Sequence, residues 1–93
     1  GDDLLYGNAG DDSLRGQNGS DVLFGGAGDD YLDGGAGVDI VWGGADNDEL
    51  HGGGGNGDTL YGEEGDDQVY GSDDGADFVY GGSGRDRIYG RKG

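Results

Sequence analysis

Cysteine, proline and methionine are all absent from the 93-residue chain, and only 5 lysines and arginines stand against 21 aspartates and glutamates. Without cysteine there are no disulfides and no thiolate metal sites, so a small chain lacks its usual staples. The shortage of positive charge leaves a formal net charge of -16. That charge excludes nucleic acid and anionic membrane surfaces as natural partners and favours multivalent cations. No apolar run is long enough to cross a membrane and no signal-peptide pattern occurs, so neither a membrane span nor Sec export is expected from these residues. Hydrophobic residues are only 30% of the chain. By composition alone, low hydrophobicity with high charge describes disorder.

What is present overrides that description. Glycine, at 27 residues, opens a unit at 7, 16, 25, 34, 43 and 52, then at 62, 71, 81 and 90. The step is nine residues except for two units of ten, 52–61 and 71–80. Counting the opening glycine as position one, position six is Asp12, Asp21, Asp30, Asp39, Asp48, Asp67 and Asp86, with Asp3 in the partial first unit. In the ten-residue units the aspartate slides to Asp58 and Asp77. Two residues after each aspartate stands an aliphatic: Leu5, Leu14, Leu23, Leu32, Val41, Leu50, Leu60, Val69, Val79 and Ile88. A self-similar period of this kind is the mark of a stacked repeat.

The fullest copies, GGAGDDYLD (25–33), GGAGVDIVW (34–42) and GGSGRDRIY (81–89), resemble GGxGxDxUx, the RTX (repeats-in-toxin) nonapeptide of secreted hemolysins, bacterial proteases, lipases and epimerases. The resemblance covers essentially the whole chain. It implies an all-β fold, a right-handed parallel β-roll (β-helix) of two parallel sheets, which is a solenoid repeat. It also implies calcium as the cofactor, type I secretion and an extracellular location. Residues 1–93 are read as one β-roll segment of about ten nonapeptides, cut from a longer array.

The residues support the same architecture on physical grounds. Nine residues divide into a six-residue turn, where glycine permits positive φ, and a three-residue strand. Along the strand, position eight faces in while seven and nine face out. Two units make a coil of eighteen, so unit n stacks on unit n+2 at about 4.8 Å. Such a core is one aliphatic wide, and stacked aspartates repel across it. A hard cation that takes six to eight oxygens from carboxylates and carbonyls would neutralise them, and calcium suits this better than magnesium, which keeps its waters.

The ligand sets follow from the resemblance. Each ion lies between turns n and n+2, with carbonyls from positions two and four and the aspartate of one turn, and carbonyls from one and three and the aspartate of the other. Here that implies Asn8, Gly10 and Asp12 with Gly25, Ala27 and Asp30, then Gly26, Gly28 and Asp30 with Gly43, Ala45 and Asp48. Across the roll, Gln17, Gly19 and Asp21 face Gly34, Ala36 and Asp39. Further along, Gly44, Asp46 and Asp48 face Gly62, Glu64 and Asp67, and Glu63, Gly65 and Asp67 face Gly81, Ser83 and Asp86. The scheme's remaining members are Asp3, Gly16, Asn18, Gly35, Gly37, Gly52, Gly54, Asp58 and Asp77. About eight turn pairs hold both aspartates, and eight divalent ions would balance the formal charge of -16. Three features depart from the pattern. Asp46 replaces the position-four glycine, so its turn is either strained or offers an extra carboxylate. The ten-residue units enlarge the turns of Asp58 and Asp77, and Asp3 lacks part of its turn.

Other residues are assigned bland roles. The position-five acids Asp2, Asp11, Asp29 and Asp66 are read as solvent-facing charge, and His51 as a surface residue on a strand. No serine or cysteine has nucleophile partners, and the carboxylate pairs repeat where a catalytic site would be singular, so an enzyme is not expected. The EF-hand pattern is absent. The outward positions do segregate by sheet. One face carries Tyr6, Phe24, Trp42, Tyr61 and Tyr80 beside Leu4, Val22, Ile40, Thr59 and Phe78; the other carries charges and is expected to face water. An apolar face of this extent marks a contact surface for a neighbouring domain, another roll or a ligand. The leading function is thus a calcium-binding structural module that folds after export. The rivals are an adhesion or ligand-binding module using the aromatic face, and a segment that serves an attached catalytic domain.

Overall fold

Each aspartate is followed by a triplet with an aliphatic at its centre, and every such triplet among the described residues forms a strand. The computed structural model describes residues 2–55, 57–71 and 78–89. Its strands are β1 (Leu4–Tyr6), β2 (Ser13–Arg15), β3 (Val22–Gly26), β4 (Tyr31–Asp33) and β5 (Ile40–Gly44), then β6 (Glu49–His51), β7 (Thr59–Glu63), β8 (Gln68–Tyr70), β9 (Phe78–Tyr80) and β10 (Arg87–Tyr89). Odd strands build one sheet in the order β1-β3-β5-β7-β9, and even strands build the other, β10-β8-β6-β4-β2. Every pairing is parallel. This is the expected roll, because a chain that alternates sheets every unit can pair only with the unit two steps on.

Register follows the repeat. Leu5 pairs with Leu23, Leu23 with Val41, Val41 with Leu60 and Leu60 with Val79; on the other sheet Leu14, Leu32, Leu50, Val69 and Ile88 align. The extra residue of unit 52–61 is taken up in the turn, since β5 and β7 keep side-chain register across a step of nineteen. A slip by one would have turned Leu60 outward, and burial of that side chain opposes it. Leu23, Leu32, Val41, Leu50, Leu60 and Val69 are 0% exposed and form the core, with Leu5, Leu14 and Val79 packed on its ends. Each fully buried aliphatic contributes about 1.5–3 kcal/mol.

One boundary differs from the three-residue expectation. β3, β5 and β7 run on for five residues, through positions one and two of the following turn. There Gly26 aligns with Gly44 and Gly44 with Glu63. The N–H of Ala27 donates to the Asn8 carbonyl, and that of Ala45 to the Gly26 carbonyl, each at 3.1 Å, so the inter-coil ladder continues into the turn.

Candidate metal centre

Position six is where each turn becomes a strand, and its aspartate makes two ladders at once. Its carbonyl accepts the N–H of position seven one coil on: Asp30 from Glu49 and Asp48 from Gln68, both at 2.8 Å. Its own N–H donates to the Oδ1 of the aspartate one coil on, so Asp12 binds Asp30, Asp30 binds Asp48 and Asp48 binds Asp67. The opposite side repeats this from Asp3 to Asp21, Asp39 and Asp58. Asp86 closes the first column by accepting from Asp67 at 3.0 Å. The short aspartate side chain thus stands in for a backbone carbonyl at the strand entrance.

The second carboxylate oxygen has no such partner. Oδ2 of Asp12, Asp21, Asp30, Asp39, Asp48 and Asp67 is buried and accepts no hydrogen bond. It turns toward the opening glycine of its own turn. A Cβ on Gly43 would stand 2.7 Å from Asp48 Oδ2 and 3.0 Å from the Gly62 carbonyl oxygen; a Cβ on Gly25 would stand 2.7 Å from Asp30 Oδ2 and 2.6 Å from the Gly43 carbonyl oxygen. Glycine at position one is therefore required by close approach, and it leaves a carboxylate oxygen and a carbonyl from the next turn facing one small space. At Gly28, in position four, backbone conformation adds a second reason for glycine. Gly28 has φ +102, and a Cβ there would run into the Gly10 carbonyl.

Burial pushes the carboxyls of Asp30, Asp39, Asp48 and Asp67 up. Asp48 rises to about 8, with the charges of Asp67 and Asp30 adding to the loss of water and the backbone hydrogen bond from Asp30 opposing it. Asp39 and Asp67 rise to about 6, and Asp30 is raised as well, again chiefly by burial. A buried, orphaned carboxylate oxygen is costly unless it gains a partner. Among the described residues no three His, Cys, Asp or Glu side chains converge as a metal cluster. A cation drawn to these turns must complete its shell with carbonyls, as a hard oxygen-seeking ion does and a softer metal does not. The donor set therefore fits calcium.

Among the described residues, turns named from the resemblance stack one coil apart, and several of their carbonyls already accept one bond. Asn8, Gln17 and Gly26 accept the N–H of Ala27, Ala36 and Ala45, and Ala36 and Gly54 accept from Gly19 and Gly37. A carbonyl has a second lone pair, so these bonds leave ligand capacity. Asn8, Gln17, Asp46 and Glu63 adopt φ of 72–73° where other units place glycine. Asp46 has a left-handed backbone, and its Oδ2 accepts the Gly28 N–H at 2.9 Å, so that oxygen already has a backbone partner. Asp58 is fully buried despite its enlarged turn, and it joins the column through Asp39. Asp3 is exposed and Asp86 half-buried, while Asp77 lies outside the described residues.

Two features were not foreseen. The position-five acids are exposed as expected, yet they also form a ladder. Oδ1 of Asp11, Asp29 and Asp66 accepts the N–H of Asp29, Asn47 and Arg85, and Asn47 accepts from Asp66. Asp2 does the same for Ser20. The eighteen-residue recurrence of these acids was the available signal. An open groove of about 380 Å³ follows this side past Asp11, Asp29, Asp30, Asp48 and Asp66. The second feature is on the even-strand sheet, which was expected to be charged and wet. His51 stacks on Tyr70 at 4.5 Å and Tyr70 on Tyr89 at 4.8 Å, with Tyr31 tilted against His51. His51 Nε2 meets Glu49 Oε2 at 2.7 Å, so the imidazole has a structural partner on its own strand.

No curated protein matches the chain. The sequence profile of the RTX calcium-binding nonapeptide repeat matches it in four copies, over residues 1–32, 24–57, 57–75 and 72–93. The matches span the turns whose geometry leaves carboxylate and carbonyl oxygens converging between coils, and the chain belongs to the RTX calcium-binding nonapeptide repeat family.

Proposed function

We propose that this chain is a calcium-responsive structural segment of a secreted bacterial protein, unfolded where calcium is scarce and ordered by calcium after export. The observation that carries this reading is the double column of buried carboxylates with unpartnered Oδ2 atoms. The stacked turn pairs set out from the repeat, such as Gly26, Gly28 and Asp30 with Gly43, Ala45 and Asp48, would hold the ions, about eight in all. When bound, calcium supplies the positive charge that the carboxylates lack. The chain's own residues do the rest: opening glycines keep the inter-turn space clear, Oδ1 atoms fix each aspartate to the preceding coil, and the aliphatic column sets the register. Secretion by a type I route agrees with the family and with a calcium-poor cytosol that would keep sixteen negative charges uncompensated. No catalytic role is proposed.

The test is a calcium titration followed by far-ultraviolet circular dichroism and by counting bound ions. The spectrum should change from disordered to β-rich cooperatively, with a midpoint near ~10⁻⁴–10⁻³ M, as in extracellular modules. A β-rich spectrum that persists in excess chelator would overturn calcium-induced folding.

A further inference from the structure

The outward positions of the odd-strand triplets carry no charged side chain, although 26 of the 93 residues are charged; Glu63 stands beyond them, where β7 runs on into the turn. Its most prominent feature is a ring ladder. Tyr6, Phe24, Trp42, Tyr61 and Tyr80 follow one another at centroid separations of 5.0, 5.9, 4.1 and 5.1 Å, with interplanar angles of 8–21°. The interior rings therefore spend both faces on each other and present only their edges. A sugar or another planar ring binds aromatic faces, and here only the two end rings have one to offer. Beside the ladder, two residues back on each strand, runs a lower shelf that includes Leu4, Val22 and Ile40.

The face is large for something left in water. Leu4 is 58% exposed, Tyr6 58%, Phe78 62%, Tyr80 53% and Ile40 38%. At 150–250 Å² for a whole aromatic side chain, these residues alone present on the order of ~500 Å². The remaining members bring the face toward the ~800 Å² that each partner gives to an interface of standard size. A flat, charge-free band of ring edges with a parallel shelf is complementary to itself. A two-fold axis running along the coil-stacking direction lays the ladder of one copy on the shelf of the other, with the sheets about 10 Å apart. Charge decides when this occurs, because two chains of -16 repel and two neutralised chains do not.

We propose that this face binds a second copy of the chain in a closed two-fold dimer, formed only when calcium has neutralised the turns. The proposal rests on the calcium reading above. Sedimentation velocity of the 93-residue chain, over about 1–100 µM to bracket a micromolar dissociation constant, should show the mass double in calcium and stay single in chelator. Acrylamide quenching of Trp42 in calcium should weaken as the dimer forms. Ile40→Gln and Phe78→Gln should each weaken association at least ~10-fold, about 1.4 kcal/mol, with unchanged calcium stoichiometry. Ser13→Gln, on the opposite sheet, should leave dimerisation intact. A chain that binds calcium yet stays monomeric overturns this proposal alone, whereas a chain that binds no calcium overturns the proposed function first. Dimers that persist in chelator, open-ended assemblies, or loss of association in Ser13→Gln but not in Ile40→Gln would each overturn it.

Discussion

A buried aspartate usually needs both oxygens satisfied, and Asp48 satisfies one. Its Oδ1 accepts the Asp30 N–H while its own N–H goes to Asp67, which puts it between two turn pairs. Asp48→Asn retains an acceptor for Asp30 but removes the charge. Ion counting should show the loss of about two calcium ions, one from each adjoining pair, against one for the terminal Asp86→Asn. In chelator the same variant should be the more ordered of the two, since it removes repulsion from the middle of a column. Glycines can be separated in the same way. Gly43→Ala would fill the space between Asp48 Oδ2 and the Gly62 carbonyl, so the calcium midpoint should rise several-fold. Gly10→Ala meets nothing within 4 Å and incurs only the strain of φ +100. A calorimetric melt in excess calcium should register that as about 1–2 kcal/mol, with no ion lost.

At the level of the strand, three residues suffice because each strand is one rung of a continuous ladder. Apart from Ile88, which at the last strand is 50% exposed, the inward aliphatics could be named from the repeat because side chains alternate strictly along a strand. Leu23, Leu32, Val41, Leu50, Leu60 and Val69 are the ones that reach complete burial. Ring stacking adds a second, outward support. Trp42 lies between Phe24 and Tyr61, and each such pair is worth about 0.5–1.5 kcal/mol beyond area burial. Trp42→Ala should therefore lower the stability of the calcium-loaded roll by about 1–3 kcal/mol, measured by denaturant unfolding. Its calcium stoichiometry should be that of the parent chain, because the indole faces away from the turns. A lost ion in this variant would mean that the sheet face and the turns are coupled more closely than the strand geometry implies.

Taken as a whole molecule, the roll is two columns of like charge held around a thin core. Its pH dependence without calcium follows from the raised carboxyls of Asp39, Asp48 and Asp67. A carboxyl raised above its unfolded value binds protons more tightly in the folded state, so folding is favoured below the unfolded value and loses that support as pH climbs. The loss should run from about pH 4 to about pH 8. In chelator, circular dichroism should accordingly show more β-structure at pH 4 than at pH 8. In calcium the order reverses, because protons compete for the same oxygens and the calcium midpoint should rise as pH falls through this window. Equal β-content at both pH values in chelator would show that carboxylate burial is not what opposes the apo fold.

The amino-acid order alone determined the period, the eighteen-residue coil, the sheet to which each unit belongs, the inward aliphatics and the column of position-six aspartates. All of these follow from local rules, positive φ at glycine and alternation along a strand, applied at a constant step. Only the tertiary structure decided how the two oxygens of each aspartate divide their work, how Asp58 enters its column through an enlarged turn, and that Asp46 reaches back to Gly28. It also revealed the hydrogen-bonded ladder through Asp11, Asp29, Asn47 and Asp66, and the rings stacked on His51 and Tyr70. The reason is the same in each case. These contacts join residues eighteen or nineteen apart in the chain that lie one inter-strand spacing apart in space, so they depend on the register and rotamers that close packing of the coils imposes.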